Sequence, residues 1–550
     1  MSPDSFTSTW YSILLVLALI PTAIFFVDIL RWMRMPPGPR PLPFIGNKLS
    51  IPRKHPWIQF QEWSKIYGPI FTIWIGRRPT CIISDADVAA ELMEKRSSKY
   101  SSRPRFVTMG ELYWDMATML VQPYGKAWSI RRKLLHTALT PTALSLYQPV
   151  QEAEAVRLCN QLLEAPASWE RHIERFTSSI VFTVSYGHRI DSLEDKTMKK
   201  RQEFMVYVAS LNVPGAFLVE SLPFLKYLPN AIAPWKAEVQ RRGHEEAAFN
   251  MALVEDVQQD LDTAKDPSDV ADSLCKILLL ARKANPESFS ILSDRDFSFL
   301  PAAIFGAGSD TTASTLCSAI LALVTHPHVL QTAHDELDRV VGPNRLPTFA
   351  DEPSLPYIRA LCKEVLRWRP VSVLGGQPHA TSEPDEYAGY HIPANTTVLG
   401  NSWAINMNER YYPNPHRMNP LRFLSPAEVL VYARPDESDD KGEPHPNSKM
   451  GHSTFGWGRR VCPGADLAVN SLFAAMSKLL WAYDIKPLKG VTYDIFDYTE
   501  GFNIRPNPFQ CEIRVRSKAH REVLQENLKG AEKTMERFPV FDKSAEWVGI

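Results

Sequence analysis

From about Gly125 to Phe305 the sequence places apolar residues at helical spacing, segment after segment, with proline-rich breaks such as "LNVPGAFLVESLPFLKYLPNAIAPW" between them. That periodicity commits the chain to a mainly helical body. Strand signals are few. The stretch "RRPTCIISDADVAAELMEK" turns from a short β-like run into helical spacing, and "EYAGYHIPANTTV", between Glu386 and Val398, alternates like small antiparallel strands. No Gly/Ser-rich linker, repeat or low-complexity block divides the interior, so one large core is expected across the 550 residues. The polar run "RPDESDDKGEPHPNSK" reads as a surface excursion, and the charged stretch 519–550 as a peripheral extension.

The N-terminus has a different character. "WYSILLVLALIPTAIFFV", from Trp10 to Val27, carries no charge over 18 residues, and as a helix it would reach about 27 Å, close to the hydrocarbon thickness of a bilayer. No small-residue cleavage site follows, which argues against a signal peptide. Arg31 and Arg34 come next, favouring a cytoplasmic flank, and then the stiff "PPGPRPLPFIGN". The expected layout is a lumenal segment 1–9, a transmembrane anchor 10–30, a basic, proline-rich hinge 31–47, a catalytic body 48–518 and the extension 519–550. The body would face the cytosol.

Charge adds an exclusion: 61 basic residues balance 61 acidic ones, so no long-range field invites nucleic acid. The seven cysteines are scattered and never form a C-x-x-C pair, which fits neither a disulfide framework nor a zinc site. Most sit in apolar surroundings and read as small buried hydrophobes.

One does not. "FGWGRRVCPGADLAV" surrounds Cys462 with glycines, arginines and a proline immediately before a helical pattern. Glycines at 458 and 464 would let the backbone approach something large and flat. A thiolate at a helix N-terminus is stabilised by the dipole and by free N–H groups, and Arg459 and Arg460 add positive charge. Such a thiolate can serve as a nucleophile, a redox thiol or a metal ligand.

Phe455, Gly458, Arg460, Cys462 and Gly464 together satisfy F-x-x-G-x-R-x-C-x-G. The pattern resembles the haem-binding loop of the cytochrome P450 family. The resemblance implies haem b with Cys462 as the axial thiolate ligand of iron, Arg460 at a haem propionate, and a cytochrome P450 fold: a large helical domain with a small β-rich subdomain. Thiolate ligation favours O–O cleavage.

Three further stretches match in the family's order. "AWSIRRKLLH" holds Trp128 and Arg132 in W-x-x-x-R, a pair that in the family reaches the propionates, as His379 in "QPHATS" would too. "FGAGSDTTASTL" resembles the helix above the haem. There Ala307 and Gly308 would widen a groove, Thr311 would hydrogen-bond the oxygen being activated, and Asp310 would help deliver protons. "KEVLRWRP" supplies Glu364 and Arg367 in E-x-x-R, with Arg422 of "NPLRF" as third member; Leu421 stands where the family usually has a polar residue. The resemblance covers Pro36 to about Arg516.

It implies a haem-thiolate monooxygenase of the endoplasmic reticulum. Electrons would come from NADPH through a separate NADPH–cytochrome P450 reductase, with cytochrome b5 a further partner, since the chain has no flavin or nicotinamide motif. Lys126, Arg131 and Lys133 would contribute to the docking face. Ala307, Val373, Leu374 and Phe502 match pocket positions and suggest a hydrophobic small molecule. The texture of "PFLKYLP" and "YAGYHIP" is similar to fungal members that tailor secondary metabolites. The rivals are a haem-thiolate isomerase or dehydratase, which tends to lack the acid–alcohol pair, a membrane-tethered haem sensor or carrier, and a monooxygenase of xenobiotics or lipids.

Overall fold

The expected helical spacing is realised in a succession of long helices. They are α1 (Pro56–Tyr67), α2 (Lys126–Thr137), α3 (Pro141–Glu164), α4 (Trp169–Tyr186), α5 (Lys196–Leu211), α6 (Pro234–Thr263), α7 (Leu274–Ala284), α8 (Asp294–Thr325), α9 (Pro327–Val340), α10 (Pro356–Trp368), α11 (Ala465–Ala482) and α12 (Lys518–Met535). The computed structural model describes residues 19–20, 22–213, 215–435 and 437–541. Start signals act where the sequence places them. Thr140 accepts the Ala143 N–H ahead of Pro141, and Ser293 and Asp296 form a capping box at the start of α8.

The strands are short and gather into three small sheets. In the four-stranded one, β1 (Ile70–Ile75) and β2 (Arg78–Ile83) form an antiparallel hairpin. β2 then pairs in parallel with β6 (Thr397–Gly400), which pairs antiparallel with β3 (His379–Ala380). β4 (Asp385–Tyr387) and β5 (Tyr390–Ile392) make one two-stranded ribbon, and β7 (Tyr483–Lys486) and β8 (Glu512–Val515) the other. The principal core unites α3, α4, α8, α10, α11 and α12 through residues such as Leu158, Phe176, Leu316, Leu361, Leu480 and Leu524. α8 packs within it, with most of its residues buried.

The charged extension is not peripheral. Leu524, Ala531 and Met535 lie seven and four residues apart, on one face of α12, and are buried in the principal core with Phe538 and Phe541. Arg157 reaches Glu532 at 3.0 Å, Asn160 donates to the Leu524 carbonyl at 3.1 Å, and the Arg189 N–H donates to the Pro539 carbonyl at 3.1 Å. Charges on the outer face hide the apolar stripe when composition is averaged.

The polar run after Tyr432 is the surface excursion expected, with one exception among its described residues. Asp440 is buried, and its carbonyl accepts from Arg422 Nη1 at 2.6 Å while its carboxylate accepts from Asn419 Nδ2 at 3.1 Å. A buried guanidinium needs several acceptors, and this segment supplies them.

Residues 22–34 are helical. Asp28 in that helix accepts two hydrogen bonds from Arg77, at 2.7 and 3.0 Å, and Trp32 meets Trp74 edge-on at 5.9 Å, so the helix leans on the β1–β2 hairpin. Among the described residues no single helix is long and apolar enough to cross a membrane. Of the expected anchor, residues 10–18 and 21 lie outside the described residues.

Candidate active site

Six of the seven cysteines are buried; Cys462 is the exception. Its loop is held by a short ladder: the Cys462 N–H donates to the Phe455 carbonyl at 2.8 Å, Val461 N–H to Gly458, and Gly456 N–H to Ser453. Phe455 itself packs half-buried on the principal core. Gly458 has φ +57°, and a Cβ there would fall 2.1 Å from the Met93 carbonyl oxygen. The close approach expected of Gly458 is therefore to protein backbone, because the loop presses on the 90–95 turn. Gly464 has nothing within 4 Å of a Cβ and precedes α11 without a side-chain cap. The first N–H groups of α11 are thus left for the sulfur. Burial pushes the Cys462 thiol up, while the Gly464 N–H and Arg132 oppose that and favour the thiolate.

Arginines gather beside this loop. Arg132, on α2, donates to the Val461 carbonyl at 2.7 Å. Arg460 donates to the carbonyls of Ser101, Met119 and Gln122 at 2.8, 3.1 and 2.7 Å and lies 4.3 Å from the centre of the buried Trp128 ring. Arg103 donates to the Leu120, Gln377 and Pro378 carbonyls. Among the described residues none of the three pairs with a carboxylate. Burial, reinforced by repulsion from Arg103 and Arg132, pushes Arg460 down to about 8, and burial pushes Arg103 down to about 9. His379, in β3, donates from Nδ1 to the Tyr100 carbonyl at 2.8 Å; burial and the nearby Arg103 push it down to about 3, so it is neutral. Arg103 has no sequence signal beyond its place in "SSRPRF", and sequence reasoning misses it.

The structure splits the residues of "FGAGSDTTASTL". Ala307 is exposed although Phe305, Gly306 and Thr312 are buried, so α8 fronts an opening at this turn. Gly308 faces away from the groove it was expected to widen: a Cβ there would fall 2.5 Å from Val181 Cγ1, so the glycine serves the tight crossing of α8 and α4. Thr311 Oγ1 donates to the Ala307 carbonyl at 2.8 Å, leaving the oxygen's lone pairs free to accept. Asp310 accepts from Asn503 Nδ2 at 3.3 Å, and burial raises its carboxyl above the ordinary carboxylate range. Val373 is buried with Leu321, Trp403 and Ile504, Leu374 packs half-buried beside them, and Phe502 is exposed.

The E-x-x-R residues form a closed network. Arg367 donates to both Glu364 oxygens at 2.6 and 2.8 Å and to the Asn406 and Pro415 carbonyls at 2.9 and 2.8 Å. Arg422 lies 3.4 Å from Glu364, which also accepts the Asn419 N–H at 2.9 Å. Asn406 in turn accepts the Ser453 N–H at 3.0 Å, and Thr454 donates to the Leu366 carbonyl at 2.8 Å, so the network holds the root of the cysteine loop. Leu421, the nonpolar departure, is buried in the principal core.

On α2 the helical period separates the basic residues. Lys126 and Lys133 are exposed, whereas Arg131 is buried on the side of Trp128 and Leu135 and paired with Asp296 at 3.1 Å. Arg131 therefore drops out of the expected docking face.

A mainly helical body thus sets a cysteine at the start of a helix beside half-buried arginines that have no carboxylate partner among the described residues, an arrangement suited to an anionic ligand. The cytochrome P450 family model matches residues 36–513. Similar proteins include cytochrome P450 monooxygenase 58 of Postia placenta, 35% identical, with 88% of this chain and 89% of the relative aligned. A cytochrome P450 monooxygenase of Armillaria gallica is 34% identical over 90% and 92% of the two chains. Cytochrome P450 monooxygenase verL of Clonostachys rogersoniana is 33% identical over 90% of each. The chain belongs to the cytochrome P450 family, whose members are oxidoreductases of the monooxygenase class. The family's cofactor is haem on a cysteine thiolate, and the residues here fit it: a cysteine at a helix start that is the one cysteine not buried, and three guanidiniums without a carboxylate partner among the described residues, which the carboxylates of haem would supply.

Proposed function

We propose that this chain is a membrane-attached haem-thiolate monooxygenase that inserts one oxygen atom from O2 into a hydrophobic small molecule. The carrying observation is the pairing of Cys462, the one cysteine that is not buried, with a half-buried arginine cluster that lacks a carboxylate partner among the described residues. In this reading Cys462 ligates the iron, and Arg460, Arg103 and Arg132 meet the propionates. Trp128 supports Arg460 from beneath. His379 lies near Arg103 and Arg460, and burial, the largest of the causes that lower it, keeps it neutral. Haem held in this way supplies the redox chemistry that reduces O2 and splits its O–O bond.

The protein's own part is binding, orientation and protons. Asp310 is the acid: burial raises its carboxyl above the ordinary carboxylate range, which favours holding a proton for delivery. Thr311, its own proton committed to the Ala307 carbonyl, presents an oxygen that accepts. Ala307 leaves room for substrate, with Leu374 and Phe502 as apolar lining. The retained acid–alcohol pair favours oxygen insertion over isomerisation or dehydration. Electrons come from NADPH through cytochrome P450 reductase, with cytochrome b5 as a further donor, docking near the exposed Lys126, Lys133 and Arg459.

Membrane attachment is supported by exposed apolar side chains in two segments. Phe26, Leu30 and Met33 lie on the N-terminal helix, and Leu218, Phe224, Tyr227 and Ile232 lie between α5 and α6. A Cβ on Gly215 would fall 3.2 Å from Lys48 Nζ, which ties the second segment to the chain just after the first. We place the protein at the endoplasmic reticulum with the catalytic body cytosolic. The fungal relatives, verL among them, suit a tailoring step in secondary metabolism.

The test compares the reduced, carbon-monoxide-bound spectrum of the purified full chain with that of Cys462→Ser. A thiolate-type spectrum that disappears in the variant supports the reading; the same spectrum in both overturns it. Comparing metabolites with and without the gene then identifies the substrate.

A further inference from the structure

Asp310 is not isolated on α8. Asn503 Nδ2 donates to its carboxylate at 3.3 Å, and the Asn503 amide is fixed the right way round because Ser372 Oγ donates to Asn503 Oδ1 at 2.8 Å. The turn carrying Asn503 is pinned at both ends: Ile504 N–H donates to Val371 at 2.9 Å, and Thr499 N–H to Arg505 at 2.8 Å. Two residues on, Arg505 Nη1 meets Glu174 of α4 at 2.6 Å, with Glu170 3.8 Å from Nη2. Thr177 Oγ1 donates to the Ser309 carbonyl at 2.7 Å, locking α4 to α8 one residue before Asp310. Asp310, Asn503, Arg505 and Glu174 thus form one polar seam. It runs from a half-buried acid on α8 to side chains that are 24% exposed at Arg505 and 34% at Glu174.

We propose that Asn503, Arg505 and Glu174 are positioning residues for Asp310, together fixing the orientation of its carboxyl and the charge around it. The inference rests on the reading of Asp310 given above. The electrostatics have a definite pattern. After burial, which raises Asp310, the hydrogen bond from Asn503 and the charge of Arg505 lower it, and Glu174 raises it. The other charged or titratable groups around the seam are Glu170 on α4 and Cys317 on α8, whose thiol burial pushes up to about 12. Arg505 therefore opposes burial from beneath the carboxyl, and Glu174 moderates Arg505.

The test is an infrared titration of the Asp310 carboxyl band, isolated by subtracting Asp310→Asn, on the resting full-length holoprotein. Arg505→Gln and Asn503→Ala should each raise the midpoint, and Glu174→Gln should lower it, by about half to one pH unit. Glu174→Asp, which keeps the ion pair, should restore the wild-type midpoint. In reductase-driven turnover, Arg505→Gln and Asn503→Ala should lower product per NADPH and raise peroxide release, with the substrate-binding spectral constant unchanged. If Asp310→Asn uncouples while the seam variants keep the wild-type midpoint and coupling, the inference is overturned and the role of Asp310 stands. If Asp310→Asn leaves coupling intact, that underlying role fails instead.

Discussion

Two groups of arginines serve the cysteine loop, one buried and one half-buried, and they are built on opposite terms. Around Glu364, two guanidiniums and one carboxylate are fully out of water, and further acceptors come from the Asn406, Pro413, Pro415 and Asp440 carbonyls. Around Arg460, three guanidiniums share only backbone carbonyls. A closed network fixes the fold. An open one keeps a cost that only an incoming anion relieves. The two differ in exposure as well, but it is the counter-charge that marks one as structural and leaves the other open to a ligand.

Breaking the closed network should have the largest effect. Glu364→Ala leaves Arg367 and Arg422 buried without their carboxylate and should destabilise the protein by about 3–5 kcal/mol, read by denaturant unfolding and by loss of soluble holoprotein. A variant as stable as wild type would erase the contrast.

Opening the second network further should act on the cofactor instead. Arg460→Met removes one charged hydrogen-bond partner and should weaken haem retention by about 1.5–3 kcal/mol, measured by haem transfer to a competing acceptor, while the haem-free protein, relieved of an unpaired charge, is at least as stable as wild type.

The smallest effect belongs to a third, half-solvated group. Arg157 shares Glu154, Asp191 and Glu532, and the last two side chains are 40% and 45% exposed. Glu532→Gln should cost about 0–1 kcal/mol by thermal unfolding. A loss comparable to that of Glu364→Ala would mean that counter-charge and burial do not rank these networks.

What the sequence makes legible follows the same physics. Trp128 and Arg132, Glu364 and Arg367, and the cysteine loop are short-range patterns, and helix geometry or a tight turn converts their spacing directly into placement. Arg103, Asn503 and Arg505 come from loops whose positions depend on packing far along the chain, so their spacing carries no signal. Arg131 misleads because its charge suggests surface while its position, three residues from Trp128 and four from Leu135, turns it inward. The extension misleads in the opposite direction, since abundant charge masks the stripe of Leu524, Ala531 and Met535. Gly308 is chosen by a helix crossing that only the fold reveals.

The central claim is that the arginines around Arg460 wait for carboxylates beside the Cys462 thiolate. Reconstituting the haem-free protein with haem and with its dimethyl ester tests this directly. The account predicts tight binding of haem, much weaker binding of the ester, and a gap that narrows in Arg460→Met. Equal affinity for the two in the wild-type protein would contradict it.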